Sequence, residues 1–286
     1  SSGNYVWAKS FENSANNDDF GYRIKLDESN DVYVTGQYDG TCDFDPGTGV
    51  VNLTSVGGLD IFFAKFDNNG NYIWSNSIGA GGDDAGMGID FDSGGNLFLT
   101  GWFASTADFD ASSGTMNLTS GGNTDIFLAK YTSAGAYIWA GNMPGTGGDV
   151  GNDVAIDSAG NVFITGQIGG TTDMNPAAAT ASISSSGGWD IFFAKYDNSG
   201  NYVWASKVGG IGTDQSHALV LDGSGNFYIA GETPNSVDFD PGVGTATLTS
   251  AGLDDLVFAK YNDALVGVDE NFMVENIISV YPNPAQ

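Results

Sequence analysis

Apolar runs of strand length recur along the chain in one pattern. Asp60-Ile-Phe-Phe-Ala-Lys65, Asp125-Ile-Phe-Leu-Ala-Lys130, Asp190-Ile-Phe-Phe-Ala-Lys195 and Asp255-Leu-Val-Phe-Ala-Lys260 start 65 positions apart each time. The first three lead across Asp67-Asn-Asn-Gly-Asn71, Thr132-Ser-Ala-Gly-Ala136 and Asp197-Asn-Ser-Gly-Asn201 into Tyr72-Ile-Trp74, Tyr137-Ile-Trp139 and Tyr202-Val-Trp204. Gly and Asn accept the positive φ of tight turns, so each pair predicts a hairpin. A second hairpin precedes each, turning at Asp27–Asp31, Asp92–Asn96, Asp157–Asn161 and Asp222–Asn226 and returning through Val32-Tyr-Val-Thr-Gly36 and its copies. Each unit thus holds four strands, with an insert of roughly 20 residues such as Asp43-Phe-Asp-Pro-Gly47 to Asn52-Leu-Thr-Ser55. No helical period appears in the repeats, which predicts an all-β protein.

A period of this size marks a repeat architecture. Evenly spaced four-stranded units predict a β-propeller, which removes long open edges by radial repetition. The last unit has its Asp255 strand but no Tyr-x-Trp strand, whereas residues 4–11 carry Tyr5-Val-Trp7 with nothing before it. The expectation is a four-bladed propeller over residues 1–263, with repeats at about 12–76, 77–141, 142–206 and 207–263, closed by the N-terminal strand 4–11. A solenoid would need polar caps, and none is visible.

The stretch Asp157-x-x-Gly-Asn-Val-Phe-Ile-Thr-Gly166, continued by Asp190-Ile-Phe-Phe-Ala-Lys-Tyr-Asp-x-x-Gly-Asn-Tyr-x-Trp204, resembles the bacterial SBBP-type β-propeller repeats over roughly residues 4–263. That resemblance implies a propeller and secretion, and brings no catalytic residues. Residues 264–286 leave the pattern: a linker precedes Ile278-Ser-Val-Tyr-Pro-Asn-Pro-Ala-Gln286, which is similar to the start of a type A sorting domain of the Bacteroidetes type IX secretion system. The likeness implies secretion-system components as partners of the tail. With no charged-then-apolar leader at Ser1-Ser2-Gly3, the expectation is a mature, exported protein, secreted or held at the cell surface.

Charge narrows the partners. Eight Lys and Arg stand against 35 acidic residues, a formal charge of -27, which argues against nucleic acid and anionic membrane surfaces. No run of 18 apolar residues is present, so membrane insertion by a helix is not expected. The single cysteine, Cys42, excludes an intrachain disulfide and a cysteine-cluster metal site.

Candidate chemistry centres on the carboxylates. Asp19, Asp84, Asp149 and Asp214 precede the innermost strands at the same 65-residue spacing, on the face that also receives Asp43, Asp45, Asp108, Asp110, Asp173, Asp238 and Asp240 of the inserts. Carboxylates gathered near an axis repel, and a hard oxygen-seeking cation would relieve them, so Ca²⁺ at Asp19, Asp84, Asp149 and Asp214 is one reading. The other is that each Asp caps backbone N–H groups in its own loop. Trp102 and Trp189, outside the Tyr-x-Trp series, are the candidates for binding a ligand such as a glycan or protein. The Tyr-x-Trp tryptophans read as inter-blade packing, and Lys65, Lys130, Lys195 and Lys260 as partners of repeated Asp residues. The lone His217 gives a triad no support.

The expectation is a non-enzymatic, secreted or cell-surface binding and scaffold module. A structural subunit or cargo of a larger surface or secretion assembly is the alternative, and a carbohydrate-active enzyme the third.

Overall fold

A computed structural model describes residues 3–13, 18–79 and 81–263. Its described residues contain no α-helix, and the repeats fold into separate antiparallel sheets. The first sheet orders Phe20–Leu26, Val32–Tyr38, Asp60–Phe66 and Tyr72–Ile78 from its inner to its outer edge. The second runs Ala85–Phe91, Leu97–Phe103, Asp125–Tyr131, Tyr137–Met143, and the third Val150–Ile156, Val162–Ile168, Asp190–Tyr196, Tyr202–Val208. The fourth has only Gln215–Leu221, Asn226–Thr233 and Asp255–Asn262. The inserts are not plain loops: each forms a small hairpin, such as Thr41–Asp43 with Asn52–Thr54.

Local chemistry explains the repetition. In the first turn the Asp27 carboxylate accepts from the backbone N–H of Ser29 and Asp31, and Asp92, Asp157 and Asp222 do the same in theirs. The inner strand carries a register shift at residue 22, 87, 152 or 217. This bulge pushes the inner backbone onto the neighbouring strand, where a Cβ at Gly36 would fall on the Phe20 carbonyl oxygen. The same close approach recurs at Gly101, Gly166 and Gly231, which is why each unit has glycine there.

Cores lie between successive sheets. Tyr33, Ile61 and Phe63 pack with Leu97, Leu99 and Tyr131; Phe98 and Leu128 with Val162 and Tyr196; Phe163 and Phe193 with Phe227 and Tyr261. The repeated lysines sit over aromatic rings in these seams, at 4.8–5.2 Å from Tyr33, Phe98, Phe163 and Tyr228. Their carboxylate partners are Asp27 and Asp31 for Lys65, Asp92 for Lys130, Asp263 for Lys195 and Asp222 for Lys260. Pairing keeps the nearly enclosed charges of Lys65, Lys130 and Lys195 from standing alone, whereas Lys260 is exposed.

The inner strands converge. Arg23 of the first sheet reaches Asp153 of the third at 3.1 Å and the His217 carbonyl of the fourth at 3.4 Å. Lys25 meets Asp90 at 2.9 Å. Asp90 in turn accepts from Ile156 N–H, and Asp153 from Leu219 N–H. A central meeting of first strands, with sheets stacked by their faces, is a β-propeller-like arrangement.

The N-terminal segment departs from expectation. Residues 4–11 form no strand, and the fourth sheet has no fourth strand among the described residues. The segment is instead held by the first repeat. Phe11 packs with Phe44, Phe62 and Phe66, and Glu12–Asn13 pair with Asp43 and Cys42. Trp7 Nε1 donates to the Asn68 carbonyl at 3.2 Å, just as Trp74 Nε1 donates to that of Ser133. Phe11 meets Phe44 as Ile78 shares a core with Phe109, Met143 with Met174 and Val208 with Phe239. These are contacts of the kind that the outer strands make to the next sheet elsewhere in the chain. One seam is open beside it. Ile24 is 63% exposed where Ile89, Val154 and Leu219 are at 5% or below, and Leu256 is 69% exposed where Ile61, Ile126 and Ile191 are at 1% or below.

Candidate functional site

Strand alternation puts the inserts and the loops entering the inner strands at one end of the sheets, and both Asx turns at the other. On the insert end, Asp84, Asp149 and Asp214 are fully buried, whereas Asp19 is exposed. They do not gather: no group of three or more His, Cys, Asp or Glu among the described residues is placed to hold a metal. Each instead serves its own loop. Asp19 accepts from Asp39 N–H, Asp84 from Ala104 N–H and Asp149 from Gly169 N–H, always 20 positions on. The insert carboxylates behave alike, with Asp43, Asp108, Asp173 and Asp238 each capping two backbone N–H groups.

The fourth copy breaks this rule for a reason visible in the sequence. Twenty positions after Asp214 stands Pro234, which has no N–H to give. Asp214 keeps one donor, Gly210 N–H on Oδ2, and its buried Oδ1 has no hydrogen-bond partner. Asp190, whose charge acts on Asp214, also buries an Oδ1 without a partner. Burial, and secondarily the Asp190 charge, push the Asp214 carboxyl above the usual carboxylate range.

An expected outcome follows. Asp149→Asn exchanges an acceptor for a donor beside Gly169 N–H and the Thr172 hydroxyl, and should cost about 1–3 kcal/mol. Asp214→Asn removes a buried charge and brings a donor to an acceptor-rich site, so its cost should be near zero or negative. Urea denaturation of both variants checks this, and equal losses would contradict the orphaned-oxygen account.

The tryptophans separate. Trp102 lies within the strand Leu97–Phe103, half-buried and in register with Ala85 and Ile126, rather than at the edge of an insert. Trp189 lines an open cleft of about 430 Å³ at the insert end. The third repeat contributes Gly148, Gly169, Gly170, Gly187 and Gly188 to it, and Thr213 comes from the entry to the fourth sheet. Trp189 and Gly188 are anchored from below by Asp214 N–H on the Trp189 carbonyl and by Gly188 N–H on Gly212. The lining hydroxyl of Ser185 holds Gly170 N–H.

This cleft is where the repeat loses its symmetry. The positions of Gly148 and Gly169 carry Asp83 and Ala104 one repeat earlier, and Thr213 and Pro234 one repeat later. Trp189 itself corresponds to Leu59, Thr124 and Asp254. A Cβ at Gly169 would lie 2.7 Å from Trp189 Cδ1 and 2.8 Å from Nε1, so the indole rests where only glycine leaves room. Comparing the repeats position by position would have found this cleft in the sequence; aromatic type alone could not separate Trp189 from Trp102.

His217 is the bulged residue of its inner strand, 3.7 Å from the Glu232 carboxylate. Cys42 is buried and unbonded, and burial pushes its thiol up to about 12. The tail with Tyr281-Pro-Asn-Pro284 lies outside the described residues.

Comparison with known proteins agrees with the geometry. The chain resembles a WD repeat protein. It is 27% identical over 254 residues, 80% of its length, to an uncharacterized WD repeat-containing protein of Acanthamoeba polyphaga mimivirus. Over 134 residues it is 30% identical to the regulatory protein FlaEY of Caulobacter vibrioides. The matched parts cover 18% and 14% of those proteins, so the chain spans under a fifth of the length of either. No family model matches the chain. An all-β, propeller-like repeat fold and a WD repeat relative together describe a repeat-based protein of the kind that presents loops at the ends of its sheets.

Proposed function

We propose that this chain is a non-enzymatic binding and scaffold module, a four-bladed propeller ring closed by its N-terminal segment, with the Trp189 cleft as its binding site. One observation carries the binding reading. Turns, bulges, lysine seats and inter-sheet cores repeat through the chain, whereas the cleft forms around Trp189, Gly148 and Gly169, three positions that hold other residues in every other repeat. Repetition serves the scaffold, and the exception serves a ligand. The mimivirus relative's WD repeats support an interaction role.

Closure is supported by the place of Trp7 and Phe11 and by the matching exposed faces at Ile24 and Leu256. Export, with the tail engaging secretion components, is carried forward on the Tyr281-Pro-Asn-Pro284 resemblance alone. Ca²⁺ on the acidic face is not part of this reading, because the carboxylates are engaged loop by loop.

A calorimetric screen of peptides and saccharides against wild type, Trp189→Ala and Trp102→Ala tests the module. Saturable binding without turnover, lost in Trp189→Ala and kept in Trp102→Ala, is expected. Binding indifferent to Trp189, or chemical conversion of the ligand, would contradict it.

A further inference from the structure

Resting on the reading of the cleft as a binding site, we infer that its ligand is a neutral saccharide. The lining offers one indole, two hydroxyl residues and glycine backbone, with no charged side chain. An uncharged lining in a chain of net charge -27 suits neither an anion, which the field repels, nor a cation, which would need carboxylates exposed in the cleft. A sugar presents an apolar C–H face for Trp189 and a rim of hydroxyls for exposed peptide groups, which glycines leave accessible.

A second observation points the same way. Two residues of the cleft, Trp189 and Thr213, are followed in the chain by Asp190 and Asp214, each of which buries an Oδ1 with no hydrogen-bond donor. Asp149, the counterpart of Asp214, is better supplied, with Gly169 N–H and the Thr172 hydroxyl, whereas Asp60, the counterpart of Asp190, shares its unpartnered Oδ1, and Asp190 also pairs through Oδ2 with Lys207. Only in the fourth repeat does a proline remove the donor, leaving acceptor capacity beside the cleft. Hydroxyl groups are donors of the required kind, and a charged carboxylate is the stronger acceptor for them. Small shifts of the Gly209–Gly212 backbone, which has no side chains to hold it at three of its four positions, would let a hydroxyl reach Asp214.

The test is calorimetry with neutral hexasaccharides of the cellulose, xylan, chitin and amylose types, and with a proline-rich peptide as the contrasting aromatic-stacking ligand. Wild type should bind at least one saccharide. Trp189→Ala should weaken that binding about tenfold or more, a change worth roughly 1.4 kcal/mol. Gly169→Val, which drives a side chain into the indole, should do the same. Pro234→Ala, which returns the N–H that Asp214 lacks, should weaken binding by about three- to tenfold without loss of fold. Melting curves of each variant verify folding independently. No saccharide binding by wild type, or binding unchanged in Trp189→Ala, overturns the inference. Binding of the peptide alone, lost in Trp189→Ala, overturns the saccharide and leaves the cleft as the binding site.

Discussion

Cysteines introduced by Ala8→Cys and Ala259→Cys are expected to join within one chain and to raise stability by about 4–5 kcal/mol, the range for a cross-link closing a very long loop. The register comes from the complete sheets. Lys65 faces Trp74 and Ala64 faces Ser75; Lys130 faces Trp139 and Ala129 faces Ala140; Lys195 faces Trp204 and Ala194 faces Ala205. If Trp7 takes the place of those tryptophans opposite Lys260, Ala8 falls opposite Ala259. Antiparallel partners stand about 4.5–5.5 Å apart at Cα, within the span a disulfide bridges. Cys42 need not be removed, since it is buried and its raised thiol pKa keeps it out of exchange.

The result separates closure from its rival. Two exposed faces that are complementary by position can also join between molecules, first sheet of one copy to fourth sheet of the next, and such head-to-tail contacts grow into open chains. Monomers carrying the cross-link on non-reducing gels support the closed ring. Cross-linked dimers and ladders would replace the ring with an assembly, the structural-subunit reading, and an absence of any cross-link would remove both.

Much of the fold was legible because each repeated feature has a local cause. The Asx turns need Asp at one end and a positive φ before the returning strand, and Asn30 at φ 64° does in the first repeat what Gly95, Gly160 and Gly225 do in the others. The Thr-Gly step marks the bulge's close approach. The inserts were missed as hairpins because their strands are only three residues long, too short for an alternating pattern to stand out. The alternation in residues 4–11 predicts a strand. These residues do make the outer-strand contacts to the first sheet, but the ladder to Asp255–Asn262 is a long-range pairing that no local signal fixes. The Asp residues of the inserts and of the loops entering the inner strands share one end of the sheets. Sharing one face did not mean meeting at one point, because a carboxylate with a backbone donor 20 positions away is already satisfied.

That satisfaction is incomplete at Asp60, and stability should therefore fall as pH rises from about 4 to about 7. Asp60 is buried against the loop before its strand. Burial raises its carboxyl to about 7; the Val56 N–H opposes this, and the charge of Asp84 adds to it. Asp149 is raised to about 6 by burial, against the Gly169 and Thr172 donors and with the charge of Asp125. A folded pKa above the unfolded one means that the native state holds the extra proton. Its contribution is complete below the unfolded pKa near 3.8 and is lost as pH climbs through the folded value. Asp92 and Asp27 run oppositely: both are lowered, against the cost of burial, by Lys130 and Lys65 respectively, so their contribution disappears only toward strong acid. The stability maximum should lie on the mildly acidic side of neutrality. In Asp60→Asn the site is neutral at every pH, so the variant should match wild type near pH 3, below the unfolded pKa, and exceed it at pH 8 by an amount bounded at about 4 kcal/mol, roughly three pK units at about 1.36 each. Urea denaturation at the two pH values reads this directly. A variant destabilised equally at both would mean that Asp60 is ionised in the fold and held by donors beyond Val56, and the acid-side maximum would have to come from elsewhere.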